Sequence, residues 1–253
     1  MAMETCNILG VNIAVTNLNE AVNYIEENID KLRGDYICVS NVHTTVTAYE
    51  NKEYREIQNG CALALPDGKP LSILSKKRGF KNAQRVTGPD LMGELFKESG
   101  KKGYKHYFYG STEETLELLK TKLKEKYPKL NIVGMYSPPF RSEVSIEDNN
   151  ILNEINDGKV DFLWIGLGAP KQEKWMFIHK HKVNAVMFGV GAGFDYYAER
   201  IKRAPLWMQK FSLEWLYRLM QDPKRLLTRY VTTNSKFIYL IMFNKNSKKG
   251  LDK

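Results

Sequence analysis

The sequence predicts an α/β fold, a Rossmann-like parallel sheet core with helices on both faces, followed by a C-terminal basic helical appendage. Apolar, β-rich runs alternate with helix-patterned segments through the first 195 residues, which is the signature of a parallel sheet covered on both sides. The runs are continuously apolar rather than alternating, as strands buried on both faces are. Charge then divides the chain. Residues 1–195 hold 25 Lys+Arg and 25 Asp+Glu, whereas residues 196–253 hold 13 against 4 and so carry the entire formal charge of +9. A boundary near residues 195–200 separates the expected core, 1–195, from the expected appendage, 196–253.

Taken in order, DYICVSN (35–41) reads as a buried strand, followed by the helical HTTVTAYENKEYREIQ. CALALPDG (61–68) is a strand closing on a turn, and TGPD leads into the helix LMGELFKES. KHYFYG (105–110) is a strand; STEETLELLKTKLKEKY after it is a helix, with Ser111 predicted as N-cap and Glu114 at the capping-box position. NIVGMYS and DFLWIGLG are strands separated by a polar segment containing SIEDNNILNEIN. KQEKWMFIHKHK is helical and NAVMFGVGAGFD is a further strand. From about residue 199 the pattern is helical only: Trp207, Phe211 and Trp215 recur at helical spacing, and Pro223 breaks the helix before Lys224, Arg225 and Arg229.

Composition narrows the function. Hydrophobic residues make up 43% of the chain, enough for a core, and the longest apolar run near the end, FIYLIMF (237–243), is far short of the roughly 20 residues of a membrane span. No signal peptide is read at the N-terminus. Three scattered cysteines without CxxC spacing suggest neither zinc nor a disulfide framework; Cys38 and Cys61 read as small core hydrophobes, and a cytoplasmic location is the default. GxxxxGK[ST], GxSxG, HExxH and D-x-D are all missing from the sequence. A nucleotide-sugar enzyme built this way lacks an acidic metal site, and arginines would have to neutralise a diphosphate. The basic segment, with its interleaved aromatics, points to an anionic partner: a lipid surface, a phosphate group or nucleic acid.

In open parallel sheets ligands bind beyond the carboxyl ends of the strands, so polar strand-end residues are the candidates. Asn41 and His43 follow the first core strand; they read either as an N-cap with a surface histidine or as site residues. Asp67, in LPDGK, reads as a turn former or as a general base at a strand mouth. Arg85 precedes a helix start, where it either helps to hold an anion or is merely solvated. GLGAPKQEKW (166–175) places a Gly-rich loop, Pro170, Lys171 and Gln172 together, a reasonable phosphate or sugar pocket. GVGAGFDYYA adds Asp195, able to accept from sugar hydroxyls. FYGSTEE is a weaker phosphate candidate because GxGxxG is incomplete. All these glycines also read as tight-turn formers.

The blocks SNVHT, LPDGKP, RVTGPDL, GLGAPKQEKW, GAGFD and RAPLWMQKFSLEWLYRLMQDPKRLLTRY occur in the order seen in the WecG/TagA/CpsF family of bacterial glycosyltransferases, family 26, which the chain resembles over most of residues 8–230. The resemblance implies an inverting, metal-independent transfer of a sugar from a UDP-sugar donor to a polyprenyl-diphosphate-linked sugar acceptor, with no cofactor; in wall teichoic acid members, N-acetylmannosamine moves to GlcNAc-diphospho-undecaprenol. It implies Asp67 as base, Asn41 and Gln172 as residues that contact the donor or orient the sugar, Arg85 in the pocket, and Asp195 near the nucleoside; Lys171, read from the Gly-rich loop, joins them as a substrate-binding candidate. Arg218, Arg225 and Arg229 would reach the leaving diphosphate, all on one helical face if the Pro223 break is mild. The appendage would dock beside the site and meet an anionic membrane surface, peripheral on the inner face of the membrane. The chain departs from the family pattern at Glu199 and at Phe211-Ser212, where glycines are common.

Two other classes compete. A nucleic-acid-binding protein accounts for the basic tail but leaves the neutral α/β core and its strand-end Asp67 and Gln172 unexplained. An NAD-type oxidoreductase is disfavoured by the incomplete glycine fingerprint. A homo-oligomer is the expectation if the appendage leaves core surface uncovered.

Overall fold

A computed structural model describes residues 3–139, 149–211 and 213–243. A hairpin opens the chain, β1 (Thr5–Ile8) and β2 (Val11–Ala14), turned by Leu9 and Gly10 at φ 52° and 90°. Helices α1 (Leu18–Glu27) and α2 (Ile29–Leu32) lead to β3 (Tyr36–Ser40), all of whose residues are buried. The helical stretch that follows splits at Asn51 into α3 (Val42–Glu50) and α4 (Lys52–Asn59), because Asn51 turns extended and its side chain caps α4 through Tyr54 N. Next come β4 (Leu63–Pro66), α5 (Lys69–Lys77) and α6 (Gly88–Lys102), the last capped by Thr87. β5 (Lys105–Gly110), α7 (Glu113–Lys126) and β6 (Asn131–Tyr136) complete the first half. The second half is α8 (Asn149–Asp157), β7 (Phe162–Gly166), α9 (Lys171–Ile178), β8 (Val186–Gly189) and α10 (Gly193–Tyr197). The appendage holds α11 (Leu206–Lys210), α12 (Glu214–Gln221) and α13 (Pro223–Phe243).

Six strands form one parallel sheet in the order β4-β3-β8-β7-β5-β6, as the continuous apolar runs predict. Alternate residues feed two cores. On one face Tyr36, Cys38, Tyr107, Leu163 and Met187 pack with the hairpin, α3, α4 and α9. On the other, Ile37, Phe108, Trp164 and Phe188 pack with α1, α6, α7 and α10. Phe237 and Leu240 of α13 enter the first core, so the appendage is bound into the fold by apolar burial as well as by charge. Lys236 of α13 also donates to Glu50 of α3.

Several local expectations are corrected. Thr112, not Ser111, caps α7: its hydroxyl accepts from Thr115 N, while Ser111 takes a left-handed φ of 62°. Glu114 pairs with Arg200 instead of closing a capping box. The strand read as far as Asp195 ends at Gly189, and Asp195 lies on α10. Trp207, Phe211 and Trp215 do not share one helix; Phe211 is the C-cap of α11 and Trp215 belongs to α12. All three are nonetheless exposed. Pro223 breaks the helix as read, but the break is not mild: α12 ends at Gln221 and α13 starts at Pro223, so Arg218 sits on α12 and Arg225 and Arg229 on α13. The Arg225 side chain and Ser212 lie outside the described residues. No helix among the described residues is long and apolar enough to cross a membrane.

Candidate active site

The chain leaves β3 for β4 on one side and later returns through β7 and β8 on the other, so strand order reverses beside β3. The crevice at such a reversal is where open parallel sheets bind ligands. Asp67 follows β4 here. Its backbone N–H donates to Ser40 O at 2.8 Å, and Gly68 packs against Asn41, which ties the ends of β3 and β4 together. Asn41 caps α3: Oδ1 accepts from Thr44 N at 3.2 Å, and Thr44 Oγ1 accepts in return from Asn41 N at 2.9 Å. The N-cap reading therefore holds for its oxygen.

Asp67 is the centre of a charged ring. Arg85 Nε donates to the Asp67 carbonyl at 2.6 Å; Arg85 Nη2 lies 2.5 Å from Glu214 Oε2 and 3.9 Å from Asp67 Oδ1. Arg203 Nη1 pairs with Asp90 Oδ1 at 2.6 Å and its Nε stands 3.9 Å from Glu214 Oε1. Burial pushes the Asp67 carboxyl up to about 6; Arg85 and Arg218 pull it down, Glu214 and Asp90 push it up. The arginine Arg218 lies over the Tyr196 ring, 5.6 Å from its centroid. Asp90 is held below the usual carboxylate range by bonds from Arg203 and Thr87 despite its burial. The result is a carboxyl whose proton affinity sits near neutrality, beside cations that suit an anionic substrate.

On the far side of the reversal, the Gly166–Pro170 loop leads into α9. The Gln172 side chain is turned inward. Its Oε1 accepts from Gly168 N at 3.1 Å and its Nε2 donates to Glu173 Oε1 at 2.8 Å. An added side-chain carbon at Gly189 would press on this carboxamide at 3.0 Å, and one at Gly191 would touch it at 3.5 Å. Glu173 is fully buried, and burial raises its carboxyl above the ordinary range. Beside it, Tyr54 accepts from Gln58 Nε2 at 3.0 Å and Ser40 donates to Gln58 Oε1 at 2.7 Å. A buried polar chain thus runs from the end of β3 toward α9. Glu173→Ala would leave the Gln172 N–H buried without its acceptor. The expected cost is about 1–3 kcal/mol in denaturant-midpoint stability, with most of it recovered in Glu173→Gln, which keeps a carbonyl at that place.

Lys171 is the first residue of α9, and Asp195 lies in the first turn of α10 with its carbonyl accepting from Arg200 N at 2.9 Å. The charge of Arg229 bears on His43 and Glu173. With burial as the larger cause, it brings the His43 imidazole down to about 4. The fold therefore gathers Asp67, Asn41, Arg85 and Arg218 at one place and Gln172 and Lys171 across the crevice, with Arg229 over α3. The sequence reading missed Glu214, Arg203, Asp90 and Glu173. The roles of Glu214, Arg203 and Asp90 arise from pairings across the fold, 129 positions apart for Arg85 and Glu214, while Glu173 pairs with its neighbour Gln172 and owes its place to burial. The lone acid within LEWLYR, among basic residues, was the available signal.

Comparison with known proteins adds the lineage. A family model described as Glycosyl transferase WecG/TagA/CpsF family matches residues 6–250. The chain is 29% identical over 226 residues to N-acetylglucosaminyldiphosphoundecaprenol N-acetyl-beta-D-mannosaminyltransferase of Bacillus subtilis (strain 168), covering 88% of this chain and 86% of the relative. It is 28% identical over 223 residues to the protein of the same name in Staphylococcus aureus (strain MW2), covering 87% and 86%. With its parallel sheet, its strand-end carboxylate and a match over nearly its whole length, this chain belongs to the glycosyl transferase WecG/TagA/CpsF family.

Proposed function

We propose that this protein transfers N-acetylmannosamine, or a closely related sugar, from a UDP-sugar to GlcNAc-diphospho-undecaprenol in cell-wall polymer synthesis. The observation that carries the chemistry is Asp67, a carboxyl raised to about 6 at the mouth of the sheet with Arg85 and Arg218 beside it. In a single displacement, the acceptor hydroxyl gives its proton to Asp67 as its oxygen bonds to the anomeric carbon. The bond from that carbon to the diphosphate oxygen breaks at the opposite side, and UDP leaves with the electron pair. Arg218 and Arg229, with Arg225 on the same helix, are the proposed cations for the diphosphate. Asn41, through the amide nitrogen its cap does not use, is the proposed donor contact. Lys171, Asp195 and the loop held by Gln172 complete the donor site.

Residues 196–253 serve in this proposal as a membrane-associating appendage on a core of residues 1–195. Supporting it, Leu206, Trp207, Phe211 and Met220 stand exposed on α11 and α12, and Ile238 and Phe243 on α13, in the segment that carries the whole positive excess. Aromatic and basic side chains together suit the interface of an anionic leaflet. The protein is expected to float with vesicles containing anionic lipid, and far less with neutral ones; raising salt should weaken the binding.

The test of the reaction is transfer from UDP-N-acetylmannosamine to a GlcNAc-diphospho-lipid, in detergent with a chelator. Turnover with product of inverted configuration supports the proposal; no turnover with this or any other UDP-sugar overturns it.

A further inference from the structure

The contact between the appendage and the centre of the site is made by an acid. Glu214 opens α12, is 9% exposed, and accepts from Arg85 at 2.5 Å. Its other oxygen is 3.9 Å from Arg203 Nε. Arg85 is not free to move as a body, because its Nε is anchored on the Asp67 carbonyl at 2.6 Å. Its remaining fork has two carboxylates in reach: Glu214 at 2.5 Å and Asp67 at 3.9 Å. The 3.9 Å contact is already a loose ion pair, and a swing of about 1 Å would close it to hydrogen-bonding distance from the Asp67 carboxylate. Such a pair stabilises the ionised carboxylate and makes it a weaker base, the opposite of what a proton acceptor needs.

We propose that Glu214 is a positioning residue for the reaction: by engaging Arg85 it keeps that guanidinium from closing onto the Asp67 carboxylate, so the base is set only when the appendage is docked. The proposal rests on the reading of Asp67 as base and goes further by naming what sets it. The other charged or titratable groups facing Asp67 are Asp90 of α6, Tyr196 of α10 and Arg218 of α12. Asp90 also feels the Arg85 charge, but among the described residues Glu214 is the carboxylate in close contact with the Arg85 fork.

The test uses the full chain with Glu214→Gln, which keeps a carbonyl toward Arg85 and removes the charge. Asp67 ionisation is followed by carboxyl-carbon NMR of Asp-labelled protein, with Asp67→Asn to assign the signal. Docking is followed by amide exchange across residues 237–240, and the acid limb of kcat/KM is measured alongside. The expected result is that the Asp67 midpoint and the acid limb fall together by about one pH unit, the plateau rate drops severalfold, and exchange in α13 does not change. An unmoved midpoint with α13 still protected overturns the proposal. So does a shift that appears only with loss of that protection, since solvent entry would then be its cause. If Asp67→Asn itself retains turnover, the base assignment falls, while the NMR midpoint still reports on Glu214.

Discussion

Asp67→Asn is expected to reduce sugar transfer by roughly 10²–10⁴-fold, the range that a positioned proton acceptor contributes, while thermal stability stays near that of the wild type. The amide keeps the shape of the carboxyl but cannot take the acceptor's proton. The wild-type rate should also carry a pH signature. Burial holds the carboxyl at about 6, so the active, ionised form is depleted below that pH and the rate rises through it as pH increases. Asp67→Asn should lose this limb together with the activity. Steady-state rates between pH 5 and pH 8 on both proteins check the claim: full activity in the mutant, or a limb unchanged by the substitution, would remove Asp67 from the chemistry.

The second large effect is on folding. Gly110 ends β5 at φ +121°, and a side-chain carbon there would lie 2.7 Å from the Gly166 carbonyl carbon and 2.8 Å from its oxygen. Gly110→Ala therefore combines strained backbone, about 1–3 kcal/mol, with overpacking of about the same size, and a loss of about 2–6 kcal/mol is expected. Gly103→Ala is the control. That glycine has φ +74° with nothing within 4 Å of the added carbon, so only the backbone part should appear. Denaturant midpoints of the two variants, measured side by side, check both. Gly110 thus serves the close approach of β5 to β7.

What the sequence displayed and what it hid divide along physical lines. β5 spans the KHYFYG run and β3 falls within DYICVSN, because a strand buried on both faces leaves an apolar run that no surface helix would carry. Asp67 and Arg85 were visible because turn and helix-start chemistry marks strand ends. Ser111 and Thr112, adjacent hydroxyl residues, offered equal caps by type; the left-handed turn at Ser111 decided between them. The helix spacing of Trp207, Phe211 and Trp215 suggested a continuous helix that the capped ends at Phe211 and Leu213 interrupt. The pairings of Glu214, Arg203 and Asp90 were hidden for a different reason, although Glu214 itself stood out as a lone acid in a basic segment. An ion pair leaves no periodicity, and nothing local tells an acid on an exposed basic face from one closed against an arginine of another element.

The place of β3 in the sheet has a consequence for how the protein is made. Cys38 pairs with Ala64 on one side and with Gly189 on the other, about 150 positions later in the chain. During synthesis the first strand of the sheet therefore emerges with one ladder soon filled and the other open until most of the polypeptide has left the ribosome. Phe237 and Leu240, which close the core on the α3 side, arrive later still. A nascent chain stalled or cut before residue 186 would display an apolar strand edge in the middle of what should be the interior, the kind of surface that recruits chaperones or seeds aggregation. Loop closure over such distances also makes unassisted refolding slow. The strand order that creates the binding crevice is thus the same order that delays completion of the fold until the chain is nearly finished.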